Sequence, residues 1–150
     1  MKKLIEGFTL HLAHALKIGQ SVDLVRPGSD IRNILITGMG GSGIGANLVE
    51  SLTFGRVPIP INVSKGYNIP QFVSPHTLFI ACSFSGNTEE TLDAFDEAMK
   101  RKCTVVAITT GGQLAERAER HHATCWRFEH RGQPRGHKVW IGRSGWAGSP

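Results

Sequence analysis

A glycine-rich segment at residues 38–45 has the composition of an anion-binding turn. It follows the apolar residues 34–36, which are typical of a buried strand, and it precedes Leu48, Val49 and Leu52 at helical spacing. Glycine allows a ligand to approach the backbone closely, and the first N–H groups of a helix attract an anion. The pattern therefore predicts a strand, a tight turn and a helix whose N-terminus binds an anion. The alternative is a turn that requires glycine and binds nothing.

Three of the glycines, Gly38, Gly40 and Gly43, match the dinucleotide-binding pattern G-x-G-x-x-G, which alone is a weak signal. No Lys-Ser or Lys-Thr pair follows, which excludes a Walker P-loop. A dinucleotide-binding domain also has an acidic residue at the end of its second strand, whereas this chain has Ser64 and Lys65 there. NAD is therefore disfavoured, and NADP remains an alternative because Lys65 could bind its additional phosphate.

A second polar loop follows another apolar strand and carries four hydroxyl side chains, those of Ser83, Ser85, Thr88 and Thr91. Hydroxyls and backbone N–H groups can surround a phosphate without any lysine. Helix capping is the alternative role, with Asn87 as the cap and Glu90 completing a capping box. Capping would use few of these groups, and NADP does not explain the loop, so the pattern favours a small phosphorylated ligand.

The predicted elements around these loops alternate between apolar strands and amphipathic helices. Strands are predicted over residues 34–36, 58–63, 77–82, 104–109 and 124–128, and helices over 9–24, after each polar loop, and over 114–120. Such alternation indicates an α/β protein, a three-layer sandwich with helices on both faces of a parallel sheet. Five strands favour the flavodoxin-like order 2-1-3-4-5, and Pro58 and Pro60 place strand 2 at an edge.

This strand order brings the two polar loops together. Strands 1 and 3 become neighbours, and the helices that follow them leave toward opposite faces of the sheet. Open α/β sheets bind ligands in the crevice at such a switch point. We therefore expect the loops at 38–45 and 83–91 to line one shared crevice.

The motifs GMGGSGIG and SFSGNTEET together resemble those of a sugar isomerase (SIS) domain. The similarity is to the N-terminal SIS domain of bifunctional phosphoglucose/phosphomannose isomerases, and it assigns residues 1–130 to that domain. In the family both loops bind the phosphate of a hexose 6-phosphate. The resemblance therefore implies phosphate binding by the first-loop residues Gly41 and Ser42 and the second-loop residues Ser83, Ser85 and Thr88.

The resemblance also implies a reaction and a partner. The family interconverts aldose and ketose phosphates through a cis-enediolate, needs no metal or other cofactor, and commonly forms homodimers. Its catalytic arginine lies in a segment similar to Gly132-Gln133-Pro134-Arg135, which makes Arg135 the catalytic candidate. One more charge in a basic tail is the alternative role for Arg135.

The family's base glutamate, histidine and lysine lie in a second SIS domain, and no position of this chain corresponds to them. Residues 131–150 form a basic tail containing glycine and tryptophan, without a helical or strand period, and we predict that it is disordered. We therefore expect an incomplete enzyme that keeps the phosphate site, and whose apolar surface for the missing domain is left exposed. A phosphosugar-sensing module is a further alternative, although no helix-turn-helix pair precedes the sheet.

Composition limits the remaining classes. Cys82, Cys103 and Cys125 are an odd number without close spacing, which favours buried structural thiols in a reducing compartment. The net charge of +5 is concentrated near the C-terminal end, with no basic stripe interleaved with aromatic residues. No apolar run is long enough for a membrane span. These features predict a cytoplasmic protein that binds neither nucleic acid nor membrane.

Overall fold

The computed structural model describes residues 8–20 and 30–127. The helices are α1 (Phe8–Gln20), α2 (Gly40–Thr53), α3 (Glu89–Lys100) and α4 (Gly112–Arg120). The strands are β1 (Asn33–Thr37), β2 (Ile61–Ser64), β3 (Thr77–Ser83), β4 (Thr104–Thr109) and β5 (Thr124–Arg127). Arg135, the tail at 131–150 and the end of the first predicted helix at 21–24 lie outside the described residues.

The predicted sheet is confirmed. All four strand pairs are parallel, and the order is β2-β1-β3-β4-β5. Strand β2 is at the edge, as its prolines predicted, but it begins at Ile61 and not at Pro58. Proline has no N–H to donate, so Pro60 precedes the strand and contributes only its carbonyl oxygen, which accepts from the Ile34 N–H at 2.9 Å.

One face of the sheet carries the main hydrophobic core. Side chains alternate along β3, so Phe79 and Ala81 both point to the face on which α3 and α4 pack. Phe79 and Phe95 are fully buried there. Ile36 of β1 and Ala46 of α2 are also buried, but outside this cluster, which places α2 on the opposite face. The loops after β1 and β3 therefore lead to helices on different faces, as the strand order requires.

The face covered by α2 is less completely buried. Helix α2 forms where its apolar spacing predicted, but Leu48 is 58% exposed and Leu52 is 59% exposed. The residues of this helix that are buried are small, Gly43 and Ala46. With Ile44, which is 68% exposed, Leu48 and Leu52 form a stripe at four-residue spacing on the helix surface.

We expect this apolar stripe to make the chain self-associate as its concentration rises, because contiguous exposed apolar surface favours burial against another surface. A Leu48→Gln/Leu52→Gln double variant should shift sedimentation-velocity profiles toward monomer. Phe72→Gln is the matched control, since Phe72 is 45% exposed in a different segment. A wild-type chain that stays monomeric at all concentrations would contradict the expectation.

The cysteines are free, as predicted, but only Cys125 is buried; Cys82 and Cys103 are half-buried. Burial raises the pKa of both the Cys82 and the Cys103 thiol to about 11. Both are therefore protonated at neutral pH, which makes them poor nucleophiles and fits a structural role. Within the described ranges, no helix has the length and apolar character that crossing a membrane requires.

Candidate functional site

The first loop presents the start of a helix without a side-chain cap. Strand β1 ends at Thr37, and Met39 is the N-cap of α2 but forms no side-chain capping hydrogen bond. Gly40 has a φ of 52°, a left-handed value that glycine adopts without strain. The N–H groups in this first turn precede the first intrahelical donor, so they can donate to an anion. Gly41 is exposed and Ser42 is half-buried at this turn.

The second loop is organised by its own hydroxyl groups. Ser83 is 3% exposed, and its Oγ accepts from the Gly86 N–H at 3.1 Å and lies 2.9 Å from Thr88 Oγ1. Ser85 is exposed, and its Oγ accepts from the Asn87 N–H at 3.2 Å. Accepting a hydrogen bond leaves the proton of the Ser85 hydroxyl available to a ligand. The structure thus brings together Ser83, Ser85 and Thr88, with Ser83 inside the loop.

The start of α4 braces the second loop. The Phe84 carbonyl accepts from both the N–H and the hydroxyl of Thr110, at 3.2 and 2.6 Å. The Gly86 carbonyl accepts from the Leu114 N–H at 2.9 Å. Sequence reasoning identified residues 110–112 only as a turn and so missed this support. The consecutive glycines Gly111 and Gly112 were its one local signal.

The predicted capping box at α3 is wrong. The N-cap of α3 is Thr88, and it makes no side-chain capping bond. Asn87 Oδ1 instead accepts from the N–H of Gln113 at 3.1 Å, in the first turn of α4. The Asn87 side chain thus accepts from an N–H at the start of α4, 26 residues away in sequence. The residue spacing around α3 could not show this contact.

The two loops lie side by side at the end of the sheet where the parallel strands have their carboxyl ends. Thr37 at the end of β1 is in register with Ala81 near the end of β3. A Cβ placed on Gly38 would lie 2.9 Å from the Cys82 carbonyl oxygen and 3.1 Å from Ser42 Cβ, so the two backbones are in close contact. Helices α2 and α3 therefore begin on either side of a single crevice, which could hold one anion between them.

Another depression among the described residues lies at the opposite end of the sheet, where the parallel strands begin. It is lined by the segment that connects α2 to β2, including Phe54, Val57 and Ile59, together with Glu50. Glu50 is the charged residue among those that line it, and its carboxylate would repel an anion. Within residues 8–20 and 30–127, no three His, Cys, Asp or Glu side chains come together as a set of metal ligands.

The chain is similar in sequence to bifunctional phosphoglucose/phosphomannose isomerases, which confirms the resemblance inferred from its motifs. The protein from Caldicellulosiruptor bescii is 43% identical over 106 residues, covering 71% of this chain and 31% of its own length. The protein from Aquifex aeolicus is 36% identical over 137 residues, covering 89% of this chain and 40% of its own. This chain thus spans less than half the length of either relative. No family model matches the chain.

Solved structures show the same fold. A protein from Bacillus subtilis described as a phosphosugar isomerase aligns with a TM-score of 0.59 at 20% identity, over 71% of this chain and 33% of that chain. Tagatose-6-phosphate ketose/aldose isomerase from Escherichia coli aligns with a TM-score of 0.50 at 21% identity, over 61% of this chain and 27% of that chain. The five-stranded parallel sheet with its flanking helices is therefore the SIS fold found among phosphosugar isomerases.

Proposed function

We propose that this chain, as a relative of bifunctional phosphoglucose/phosphomannose isomerases, is a sugar-phosphate-binding SIS domain. Its ligands would be glucose 6-phosphate, mannose 6-phosphate and fructose 6-phosphate. One observation supports this most strongly: the glycine turn and the hydroxyl loop meet at a single crevice, where the Gly38 backbone is in close contact with Cys82. A phosphate monoester has oxygen atoms enough to accept from both loops at once.

The donors divide into two groups. In the first loop, the N–H groups of Gly41 and Ser42 and the Ser42 hydroxyl would donate to the phosphate, aided by the dipole of α2. In the second loop, Ser85 and Thr88 would contact it directly. Ser83 would hold the loop in shape, because its Oγ already bonds to the Gly86 N–H and is almost fully buried.

The reaction of the proposed full-length protein is aldose–ketose isomerisation through a cis-enediolate. It requires a base to move a proton between carbon atoms and a cation to stabilise the developing negative charge. Arg135 is the proposed cation. Glu89 and Glu90 lie in the first turn of α3, where a carboxylate stabilises the helix dipole. Following the resemblance to the two-domain isomerases, we assign the base to a second SIS domain, and we propose that the full-length protein is a homodimer.

Thermal melting with separate ligands tests the binding proposal. Hexose 6-phosphates should raise the melting midpoint, because a ligand that binds only the folded state stabilises it. The shift should be larger than the shift with inorganic phosphate. A shift with NADP alone would identify a dinucleotide-binding domain and overturn the proposal.

A Ser85→Ala variant is expected to bind hexose 6-phosphates about tenfold or more weakly, because loss of one charge-assisted hydrogen bond costs about 1.5–3 kcal/mol. Isothermal titration calorimetry would measure this change. Ser51→Ala is the matched control, since Ser51 is an exposed serine near the end of α2 that lines the depression at the opposite end of the sheet. Equal affinity of the Ser85→Ala variant and the wild type would show that the second loop does not contact the ligand.

A coupled isomerase assay on the same sample tests the assignment of the base. We expect binding of fructose 6-phosphate with little or no conversion to glucose 6-phosphate, because no proton-transfer group is assigned within this chain. Turnover at a rate typical of enzymes, about 10 per second, would contradict that assignment.

A further inference from the structure

We propose that Lys65 forms the third part of this phosphate site and supplies the positive charge that favours a phosphate monoester dianion. This inference rests on the proposed function. The two polar loops offer N–H and hydroxyl donors, which are electrically neutral. A dianion carries a second negative charge, which a lysine ammonium balances better than neutral donors do.

The strand register places Lys65 beside the glycine turn. Ser64, the last residue of β2, pairs with Thr37, the last residue of β1. Lys65 and Gly38 therefore each follow directly after a strand, and the ends of these two strands are adjacent. A Cβ placed on Gly43 would lie 3.1 Å from Lys65 Cε. The lysine stem therefore crosses the first turn of α2, and its ammonium group is one bond beyond that contact.

The segment that carries Lys65 is anchored on both sides. Ser64 Oγ donates to the Asn68 carbonyl at 3.2 Å, which closes a short turn. Ile69 is only 6% exposed and belongs to the main core. Arg101 Nη1 donates to the Pro70 carbonyl at 2.8 Å. A fixed backbone limits the side-chain positions that Lys65 can adopt, which lowers the entropic cost of binding a ligand.

The same segment reaches the second helix of the crevice. Tyr67 Oη donates to Glu89 Oε2 at 3.4 Å, in the first turn of α3. Residues 65–67 thus extend from the start of α2 to the start of α3 and form a third wall. Lys65 is exposed and has no ion pair within the part of the chain that the structure describes, so its charge is available to a ligand.

Calorimetric titration of three variants with glucose 6-phosphate tests this role. Lys65→Met keeps the length of the stem and removes the charge, and it should weaken binding about tenfold. Lys65→Arg should retain most of the affinity because the positive charge remains. Lys102→Met is the matched control, because it removes one lysine charge just before β4, at the end of the sheet where the strands begin.

Glucose 6-sulfate provides the second measurement, because its ester group is a monoanion. Lys65→Met should weaken sulfate-ester binding less than phosphate-ester binding. Two results would overturn the role of Lys65 alone: equal affinity of the wild type and Lys65→Met for glucose 6-phosphate, or equal weakening by Lys65→Arg and Lys65→Met. A wild-type chain that binds no sugar phosphate would overturn the proposed function and the role of Lys65 with it.

Discussion

Replacing Gly86 with alanine is expected to lower the free energy of unfolding by about 3–5 kcal/mol and to abolish the response to sugar phosphates. Gly86 has a φ of 71°, in the left-handed region where a side chain is strained. Its added Cβ would overlap the Gly111 carbonyl oxygen and would lie 2.8 Å from Thr109 Oγ1. The backbone of Gly86 and that of the segment 111–114 cannot move apart freely, because the Gly86 carbonyl also accepts from the Leu114 N–H at 2.9 Å.

Chemical denaturation followed by circular dichroism measures the loss of stability, and calorimetry measures the loss of binding. Gly45→Ala is the control, because Gly45 lies inside α2 and a Cβ added to it would meet no atom within 4 Å. That change should stabilise the chain by about 0.5–1 kcal/mol, since alanine favours a helix interior. Wild-type stability and binding in Gly86→Ala would show that the second loop is not held as described.

Gly43→Ala is expected to have the second-largest effect, a loss of about 2–3 kcal/mol in stability together with much weaker phosphate binding. The reason is close approach and not backbone conformation. A Cβ on Gly43 would lie 2.5 Å from the Gly38 carbonyl oxygen and 3.1 Å from Lys65 Cε. The first turn of α2 would have to move away from β1, which would displace the N–H groups proposed to hold the phosphate.

The same denaturation and titration measurements apply to Gly43→Ala, again with Gly45→Ala as the control in the same helix. The affinity should fall even at temperatures where circular dichroism shows a fully folded chain, because the donors are displaced. Weakened stability with unchanged affinity would instead mean that the start of α2 takes no part in binding.

The sequence was sufficient to predict the strand order and the meeting of the two loops. Continuous apolar strands indicated a parallel sheet, and a parallel sheet places the ends of β1 and β3 at one edge. The observed register of Thr37 with Ala81 confirms this part of the prediction. The glycine and hydroxyl residues could be proposed as ligand-binding residues because both loops are continuous in sequence, so their local composition carries the signal.

Long-range contacts could not be predicted in the same way. The bond from the Gln113 N–H to Asn87, and those from Thr110 to Phe84, join residues 26 positions apart. The local pattern allowed an equally reasonable capping box at α3, and only the packed structure distinguishes the two. Periodicity likewise located α2 correctly but could not show that Leu48 lies on its exposed side.

Amide NMR during a titration with glucose 6-phosphate tests the shared site most directly. We expect signals from the first loop, at Gly41 and Ser42, to shift together with signals from the second loop, at Ser85 and Gly86. Both sets should follow one dissociation constant, because one phosphate contacts both loops. Shifts in a single loop, or two different dissociation constants, would contradict a shared phosphate site.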